Sequence, residues 1–537
     1  MDHFDASALI VGGGPVGLCV ALELGWRGID SILIEQGDGH VQHPKVGHIS
    51  VRTMEHARRW GIANRVRNCG FPPDYVLRMV YCTSMNGYRL CSHEYPSMRD
   101  APTPPETPEK KQRCPQLWFD PILAEAVRGY PRAKLRYHSR LTDFAQDPNG
   151  VTAQVTSPEG RQSLRARYLV ACDGANSEIR QALGIEMEGN PVLSRSIAIY
   201  LRAPGLLTST NQGEAERYTF IGPEGCWGNL TVVDGGELWR LTVFGSQAMI
   251  NLERFDAAGW VRRCLANDDL PFEILSVLPW RRSQLVASRY GKGRVFLAGD
   301  AAHTMSPTGG FGMNTGIGDA VDLGWKLAAV LSGWGGPRLL DSYDAERHPI
   351  GVRNVNFSAT NFHNLISARD CAPILENTPA GAEVRARVGA HTKAATIGEY
   401  ESLGVILGYR YDNSPICVGD DGAAPPDSAD QYAPTSRAGA RAPHVWLAPD
   451  RSILDVFGRA FVLLRFSDLS VDPLLSAAHA RGMPLEIVDL RDEQAADLYE
   501  RNLVLVRPDG HVAWRGDQLP PDCAALINRV GGGAFLS

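Results

Sequence analysis

The sequence lacks the features that mark membrane and secreted proteins. Across its 537 residues there is no uninterrupted apolar run of about 18, the length that spans a bilayer. The first residues are acidic and lead into a short apolar run that ends in glycines, unlike a signal peptide. We therefore expect a cytoplasmic protein with no membrane partner.

The sequence also has only a small net charge, and its cysteines show no regular spacing. The net charge is only −6, which does not favour binding to nucleic acid. The 11 cysteines are scattered, with no CxxC pair and no metal-ligand spacing. Such a set predicts reduced thiols, and we expect no metal site. The length, with 44% apolar and 21% charged residues, is typical of a soluble globular protein of several domains.

What is present begins with a glycine-rich motif. The apolar run ALIV at 8–11 precedes GGGPVG, a helical pattern follows, and a second apolar run at 31–34 ends at a glutamate. This order predicts a βαβ unit that binds a dinucleotide, with the pyrophosphate on the helix N-terminus and the ribose on the carboxylate. The alternative is a glycine-rich turn beside a solvated glutamate. The residues assigned to cofactor binding are Gly12, Gly14, Pro15, Val16, Gly17 and Glu35.

A second motif lies near residue 300. The segment GRVFLAGDAAH places a Gly-Asp pair after a buried strand, and PTGGFGMNTGIGD then leads into a helix. With the first motif, this resembles the group A FAD-dependent aromatic hydroxylases. The C-terminal segments APHVWL at 442–447 and LVLVRPDGHVAWR at 503–515 resemble the thioredoxin-like extension of one branch of the para-hydroxybenzoate hydroxylase superfamily, which contains phenol hydroxylase and 3-(3-hydroxyphenyl)propionate hydroxylase.

This resemblance assigns roles to both parts of the second motif. It implies that Asp300 binds the ribityl chain of FAD. It also implies that the loop and first helical turn lie at the pyrimidine edge of the flavin, where a helix N-terminus stabilises negative charge. A flexible turn is the alternative. The loop residues concerned are Pro307, Gly312, Met313 and Asn314.

Three further segments extend the resemblance. YLVACDGANSEIR is similar to the second fingerprint of the family, which implies that Asp173 and Gly174 contact FAD and the nicotinamide. Alternatively, Asp173 caps a helix that begins near Ser177. Gln116 matches a family glutamine near the flavin. Lys45 stands where many members have arginine, so the positive charge is kept without the bidentate fork.

The substrate side of the site is less well marked. His48 is the candidate catalytic residue, because a neutral imidazole can accept the proton of a phenol; a purely structural histidine is the alternative. Tyr218, Trp227 and Pro307 are candidates for the substrate pocket, although aromatic residues of strands also fill sheet cores. No arginine cluster that could hold a substrate carboxylate is evident, which favours a neutral phenol.

The resemblance and the periodicities together predict an α/β fold. A Rossmann-like FAD-binding domain carries an inserted antiparallel-sheet substrate domain and is followed by a thioredoxin-like domain without a CxxC pair, where Asp509-Gly510 predicts a hairpin. The predicted boundaries are 1–185 and 285–410 for the FAD-binding domain with an excursion at 72–112, 186–284 for the substrate domain, 411–439 for a linker and 440–537 for the last domain.

The function implied is that of a monooxygenase. NADPH or NADH reduces FAD, O2 adds to give a C4a-hydroperoxyflavin, and a small phenolic ring is hydroxylated, which is redox chemistry beyond any side chain. No second Rossmann fingerprint is visible, in keeping with transient binding of the nicotinamide. The alternatives are an FAD-dependent oxidoreductase without oxygen insertion, a flavin halogenase, whose WxWxIP signature is missing, and a non-catalytic flavin-binding protein. A homodimer is the family expectation.

Overall fold

The computed structural model describes residues 3–41, 43, 47–248, 251–419 and 423–533. No helix in these ranges is long and apolar enough to cross a membrane. The strands are β1 (Ala6–Val11), β2 (Ser31–Ile34), β3 (His48–Ile49), β4 (Met79–Cys82), β5 (Arg89–His93), β6 (Gln112–Arg113), β7 (Ala133–Arg136), β8 (Arg140–Gln146), β9 (Val151–Ser157), β10 (Gly160–Ala171), β11 (Met187–Arg202), β12 (Arg217–Gly222), β13 (Gly225–Val232), β14 (Leu238–Phe244), β15 (Glu273–Ala287), β16 (Gly291–Lys292), β17 (Val295–Leu297), β18 (His303–Thr304), β19 (Trp446–Ala448), β20 (Arg451–Ser452), β21 (Phe461–Arg465), β22 (Leu485–Asp489), β23 (Leu503–Val506) and β24 (Val512–Gly516).

The helices connect and cover these strands. They are α1 (Pro15–Trp26), α2 (Val51–Arg59), α3 (Ala63–Arg67), α4 (Gln116–Arg128), α5 (Glu178–Ala182), α6 (Leu206–Ser209), α7 (Ala257–Leu265), α8 (Phe311–Leu331), α9 (Arg338–Leu365), α10 (Pro379–Thr396), α11 (Leu403–Leu407), α12 (Asp472–Arg481), α13 (Glu493–Tyr499) and α14 (Cys523–Val530).

The first sheet is the nucleotide-binding sheet that the sequence predicts. Its main path runs β16-β17-β10-β1-β2-β7, and β1 pairs in parallel with both β2 and β10. The strand β1 is almost wholly buried, as expected for an apolar run with helices on both faces. Helix α1 packs between α8 and α4, so the two predicted cofactor motifs lie on adjacent helices.

The second sheet is larger than the predicted insertion. Its order is β18-β15-β11-β14-β13-β12-β4-β5, and most of its pairs are antiparallel. Strands β4 and β5 come from the excursion at 72–112, which the sequence analysis assigned to the FAD-binding domain. All four residues of β4 are buried, so this short strand lacks the period-two alternation that would have identified it. One face of the sheet packs on α7, and α9 and α10 lie against its other side.

The last sheet, with order β22-β21-β23-β24, belongs to the C-terminal domain. The predicted hairpin is confirmed, because the backbone N of Arg507 donates to the carbonyl of His511 across the Asp509-Gly510 turn. The core of the C-terminal domain is shared with the FAD-binding domain, since Trp325 of α8 packs against Phe461 of β21. The predicted fold class, including this third part, is confirmed by the structure.

Candidate active site

The loop between β1 and α1 forms a cradle with one open position. Gly12 has φ +109°, and a Cβ placed on it would lie 2.3 Å from the carbonyl oxygen of Cys172. A Cβ on Gly17 would lie 2.0 Å from the carbonyl oxygen of Gly12. In contrast, a Cβ on Gly14 would meet no protein atom within 4 Å. The fold itself therefore requires the first and third glycines, whereas the second leaves room for a ligand.

The open position lies at the start of α1, where backbone N–H groups lack helical partners. Gly14 is the N-cap without a side chain, and Pro15 occupies the first turn. The carboxylate of Glu35 stands beside this loop, because its oxygens accept hydrogen bonds from the N–H of Gly13 at 2.6 Å and of Gly37 at 2.7 Å. These features give a cradle for an anionic group with a carboxylate next to it.

The two carboxylate oxygens of Asp173 have different surroundings. Its Oδ2 accepts a hydrogen bond from the N–H of Ile179 at 3.2 Å, and Ser177 caps α5, which supports the capping interpretation. Its Oδ1 is buried and has no hydrogen-bond partner among the described residues. Burial raises the pKa of Asp173. Since Cys172 and Gly174 flank it and Cys172 touches Gly12, this orphaned oxygen lies beside the glycine loop.

Buried charged and polar side chains stabilise the Gly-Asp turn that follows β17. Asp300 lies in the 3-10 turn Gly299–Ala301. The Oδ2 of Asp319 accepts the N–H of Gly299 at 3.1 Å and contacts Nε2 of His303 at 2.7 Å. Val16 fills the gap between Gly299 and α8, so the first motif contacts the second. His303 accordingly has a structural role in this turn.

The loop at 307–310 presents the N-terminus of α8. Gly309 and Gly310 both have positive φ, and Gly310 is an N-cap with no side chain to bond the first turn. Helix geometry leaves the N–H groups of residues 311–313, among them Gly312 and Met313, without acceptors in α8. Pro307 is exposed at the start of the loop, and its carbonyl accepts the N–H of Gly310 at 3.0 Å.

The side chain of Asn314 is used for structure. Its Nδ2 donates to the carbonyl of His48 at 2.8 Å, and its Oδ1 accepts the N–H of Ser50 at 2.9 Å and the hydroxyl of Thr53 at 2.7 Å. Asn314 therefore fixes the segment that carries His48 against the first turn of α8. The groups that this turn can offer to a ligand are therefore the backbone N–H groups of residues 311–313, and not the side chain of Asn314.

His48 is held by a carboxylate that the sequence analysis did not identify. Its Nε2 lies 2.7 Å from Oε1 of Glu216, a buried residue just before β12. Enclosure by the protein and the positive charges of Arg113, Lys111 and Arg217 hold the pKa of His48 well below its usual range. A neutral imidazole bonded in this way carries its proton on Nε2, which leaves Nδ1 as a proton acceptor. About 40% of the side chain stays exposed.

The positive charges of Arg113 and Arg217 act on this histidine, and the charge of Arg240 acts on both Arg113 and Arg282. We call these four arginines the cationic cluster. Two are paired. Arg113 donates to Glu216, and Arg217 donates through both terminal nitrogens to Glu399 at 2.7 and 2.9 Å. Burial and the neighbouring guanidinium groups lower the pKa of Arg113 to about 9.

The other two arginines have no carboxylate partner among the described residues. The Nε of Arg240 is buried without a hydrogen bond there. Arg282 donates to the hydroxyl of Ser194 at 2.7 Å and stacks 3.9 Å from the ring centroid of Phe362. Burial and the charge of Arg240 lower the pKa of Arg282 to about 9. The cluster therefore carries more positive than negative charge, and its members are far apart in the sequence, where no arginine cluster was evident.

Sheet register decides which residues face this cluster. Arg217 pairs with Thr231, which pairs with Arg240, so both arginines lie on one face, here called the site face. Tyr218 and Trp227 lie instead in the core on the opposite face, where Tyr218 packs near Trp239 and Trp227 stacks on Phe220. These two side chains therefore correspond to the core alternative. Tyr218 lies there because adjacent strand residues point to opposite faces. Trp227 reaches the same core at the irregularity in the pairing of β12 with β13 beside Phe220.

Two predicted cofactor residues remain. Gln116 is the first residue of α4, after the strand β6 that pairs with the His48 strand. It thus follows closely on the strand that lies beside His48. Lys45 lies outside the described residues.

Comparison with known proteins agrees with this geometry. A family model described as FAD binding domain matches residues 5–358. A second, described as aromatic-ring hydroxylase, C-terminal, matches residues 435–532.

The similar proteins match over nearly the whole chain. A tetracenomycin B2 monooxygenase-dioxygenase of Streptomyces olivaceus is 34% identical, with 99% of this chain and 98% of the relative covered. The structure of RebC soaked with chromopyrrolic acid, with bound 7-carboxy-K252c, is 40% identical with a TM-score of 0.93, covering 99% and 100% of the two chains. A ternary complex of aklavinone-11 hydroxylase with FAD and aklavinone is 28% identical with a TM-score of 0.83, covering 99% of each.

Proposed function

This chain belongs to the family of FAD-dependent aromatic-ring hydroxylases. We propose that its substrate is an aromatic compound that carries a carboxylate. The enzyme is an FAD-dependent monooxygenase that uses a nicotinamide reductant and O2 and acts on aromatic rings. The predicted family, cofactors and class of reaction are thereby confirmed.

The residues present fit FAD. The open position at Gly14, the uncapped start of α1 and the neighbouring Glu35 suit a pyrophosphate and an adenosine ribose. The orphaned Oδ1 of Asp173 and the carboxylate of Asp300 suit hydroxyl donors along the same ligand. Bound FAD supplies the electron transfer and the activation of O2 that side chains cannot supply.

The cationic cluster is the observation that carries the proposal. Arg282 is buried and Arg240 is half-buried with its Nε enclosed, and neither has a carboxylate partner among the described residues. A buried guanidinium such as that of Arg282 is costly unless a ligand supplies negative charge. Arg240 is on the site face, and its charge lowers the pKa of Arg282, so the two guanidinium groups contribute to the same positive region. A guanidinium also matches the planar geometry of a carboxylate. We therefore assign Arg240 and Arg282 to the acidic group of the substrate.

His48 takes the role of proton acceptor in this proposal. Glu216 accepts the Nε2 proton and so orients the ring, while Nδ1 remains free to take the proton of a ring hydroxyl. A phenolate is more electron-rich than a phenol, and so it is the better partner for oxygen transfer. Arg113 balances the charge of Glu216 and helps to keep His48 neutral, so its Nδ1 can accept a hydrogen bond from the ring hydroxyl.

The names of similar proteins support an acidic aromatic substrate. Chromopyrrolic acid was soaked into RebC, and 7-carboxy-K252c is bound there. Other relatives act on tetracenomycin B2 or bind aklavinone. These compounds also favour a substrate larger than a simple phenol.

The test uses the purified, FAD-loaded enzyme in air with NADPH or NADH. Chromopyrrolic acid and its neutral methyl ester are compared as stimulators of nicotinamide oxidation, and products are analysed by mass. We expect the acid to be preferred. Arg240→Met should raise the KM for the acid by roughly 10- to 100-fold, because a hydrogen bond to a charged group contributes about 1.5–3 kcal/mol.

The matched control is Arg202→Met, at the exposed end of β11 in the same sheet. It should leave the KM unchanged. Equal use of acid and ester by the unmodified enzyme, or an Arg240→Met variant with an unchanged KM, would contradict the carboxylate assignment.

Two finer expectations remain part of this proposal. Eleven cysteines without a disulfide pattern support a reducing compartment such as the cytoplasm. A homodimer is the expectation from the family resemblance, and sedimentation of the FAD-loaded enzyme would test it.

A further inference from the structure

One buried carboxylate connects the substrate sheet to the 307–310 loop. Glu399 ends the 3-10 turn Ile397–Glu399 that follows α10. Its Oε1 accepts hydrogen bonds from Nη1 of Arg217 at 2.7 Å and from the backbone N of Gly309 at 3.3 Å. Its Oε2 accepts from Nη2 of Arg217 at 2.9 Å. A change at Arg217 is therefore transmitted to the loop through a single side chain.

The loop is suited to respond to such a change. Gly309 and Gly310 have φ values of +92° and +70°, in a region that glycine leaves and enters at little cost. The loop directly precedes the N–H groups at the start of α8, so its conformation determines where those groups point. The bond from Gly309 to Glu399 holds the loop in the arrangement described.

An anion bound at the cationic cluster would interact electrostatically with Arg217. It shares a cross-strand row with Arg240, with one residue, Thr231, between them, which separates their Cα atoms by about 10 Å. The Nη2 of Arg217 also donates to the hydroxyl of Tyr400, and its buried Nε has no partner among the described residues, so one donor of the guanidinium is unused. A carboxylate arriving on the site face would attract Arg217 and repel Glu399.

We propose that Glu399 is a positioning residue that reports the binding of an anionic substrate to the 307–310 loop. The substrate carboxylate competes with Glu399 for Arg217, and the displaced Glu399 releases the N–H of Gly309. Substrate binding and loop conformation are then coupled through two hydrogen-bonded side chains. This inference rests on the proposed function, because it requires an acidic substrate at the cationic cluster.

The experiment compares the FAD-loaded unmodified enzyme with Glu399→Gln. Glutamine keeps an acceptor for Gly309 but loses the charge that the substrate would displace. Chromopyrrolic acid is titrated without nicotinamide, and its Kd is measured by calorimetry alongside the visible absorption spectrum of the flavin. Stopped-flow reduction by NADPH, with and without the acid, gives a second readout.

We expect the acid to perturb the flavin spectrum and accelerate reduction in the unmodified enzyme. In Glu399→Gln the acid should bind as tightly or more tightly, because Arg217 is freed, yet the spectral change and the acceleration should both be lost. Arg217→Lys, which keeps the charge but loses the fork, should show the same uncoupling. Glu401→Gln, exposed and two residues further on, is the control and should behave like the unmodified enzyme.

The outcomes separate the two proposals. A Glu399→Gln enzyme that binds the acid and keeps the full spectral change would overturn the role of Glu399 while leaving the acidic substrate intact. If the acid does not bind the unmodified enzyme and no aromatic acid from a panel does so, the proposed substrate class fails and the role of Glu399 fails with it.

Discussion

Arg507 offers the sharpest test of how the C-terminal domain is joined to the rest of the enzyme. It follows β23, is fully buried, and donates to Glu346 of α9 at 2.6 and 2.9 Å, to Asp322 of α8 at 3.1 Å and to Asp509 at 2.6 Å. Lys326 is the other cation of this network. Arg507→Met would keep much of the side-chain volume but leave the buried acidic side chains of Asp322, Glu346 and Asp509 without their guanidinium partner.

The expected cost is large. Removing one partner of a buried ion pair costs about 3–5 kcal/mol, since the remaining charges stay buried without compensation. With a urea dependence of roughly 3 kcal/mol per M, the unfolding midpoint should fall by about 1 M or more. Intrinsic tryptophan fluorescence is a suitable probe, because Trp325 lies 5.2 Å from the Arg507 guanidinium.

The control for this measurement is Arg501→Met in the same domain. Arg501 is well exposed and pairs with Asp517 at 3.1 Å, an exposed pair worth about 0–1 kcal/mol. Its midpoint should stay close to that of the unmodified enzyme. If Arg507→Met shifts the midpoint no more than Arg501→Met does, the buried network does not hold the domains together and the reasoning is refuted.

Two further predictions concern the cofactor cradle and acid stability. Gly14→Ala should abolish retention of FAD, measured by absorbance, without lowering the melting temperature of the apoprotein; Gly419→Ala, equally free of protein neighbours, should retain FAD. Glu55 is buried, which by itself would raise its pKa, but Arg441 and Arg52 lower that pKa to about 2 from 4.5. Its charge therefore stabilises the fold by about 3 kcal/mol above pH 4.5, and this contribution is lost as the pH falls towards 2. The loss of unfolding free energy in Glu55→Gln should shrink over that range, and a pH-independent loss would show that the charge of Glu55 is not its cause.

The parts of the site that could be predicted are those whose residues are neighbours in the sequence. The glycines at 12–17, the glutamate after β2 and the Gly-Asp pair after β17 each depend on neighbours within one βα turn. Their spacing is dictated by local geometry, since a strand, a tight turn and a helix must follow one another. The hairpin at Asp509-Gly510 was predictable for the same reason.

The substrate side could not be predicted in this way. Glu216 and Arg113, which hold His48, are about a hundred residues apart in sequence and meet only through tertiary packing. The cationic cluster is assembled from four separate strands or strand ends, so no stretch of sequence looks basic. Strand periodicity shows that Arg217 and Tyr218 face opposite ways, but not which of them faces the site. The choice of Tyr218 instead of its neighbour followed from that ambiguity.

The core shared by Trp325 and Phe461 has a consequence for protein engineering. In chimeras between relatives, a crossover placed in the segment before residue 440 would separate α8 and α9 from the C-terminal sheet they evolved to match. A better exchange unit would carry α8, α9 and the C-terminal sheet together, although they are distant in sequence. Libraries built on that grouping should give more folded, FAD-retaining members than libraries cut at the apparent linker.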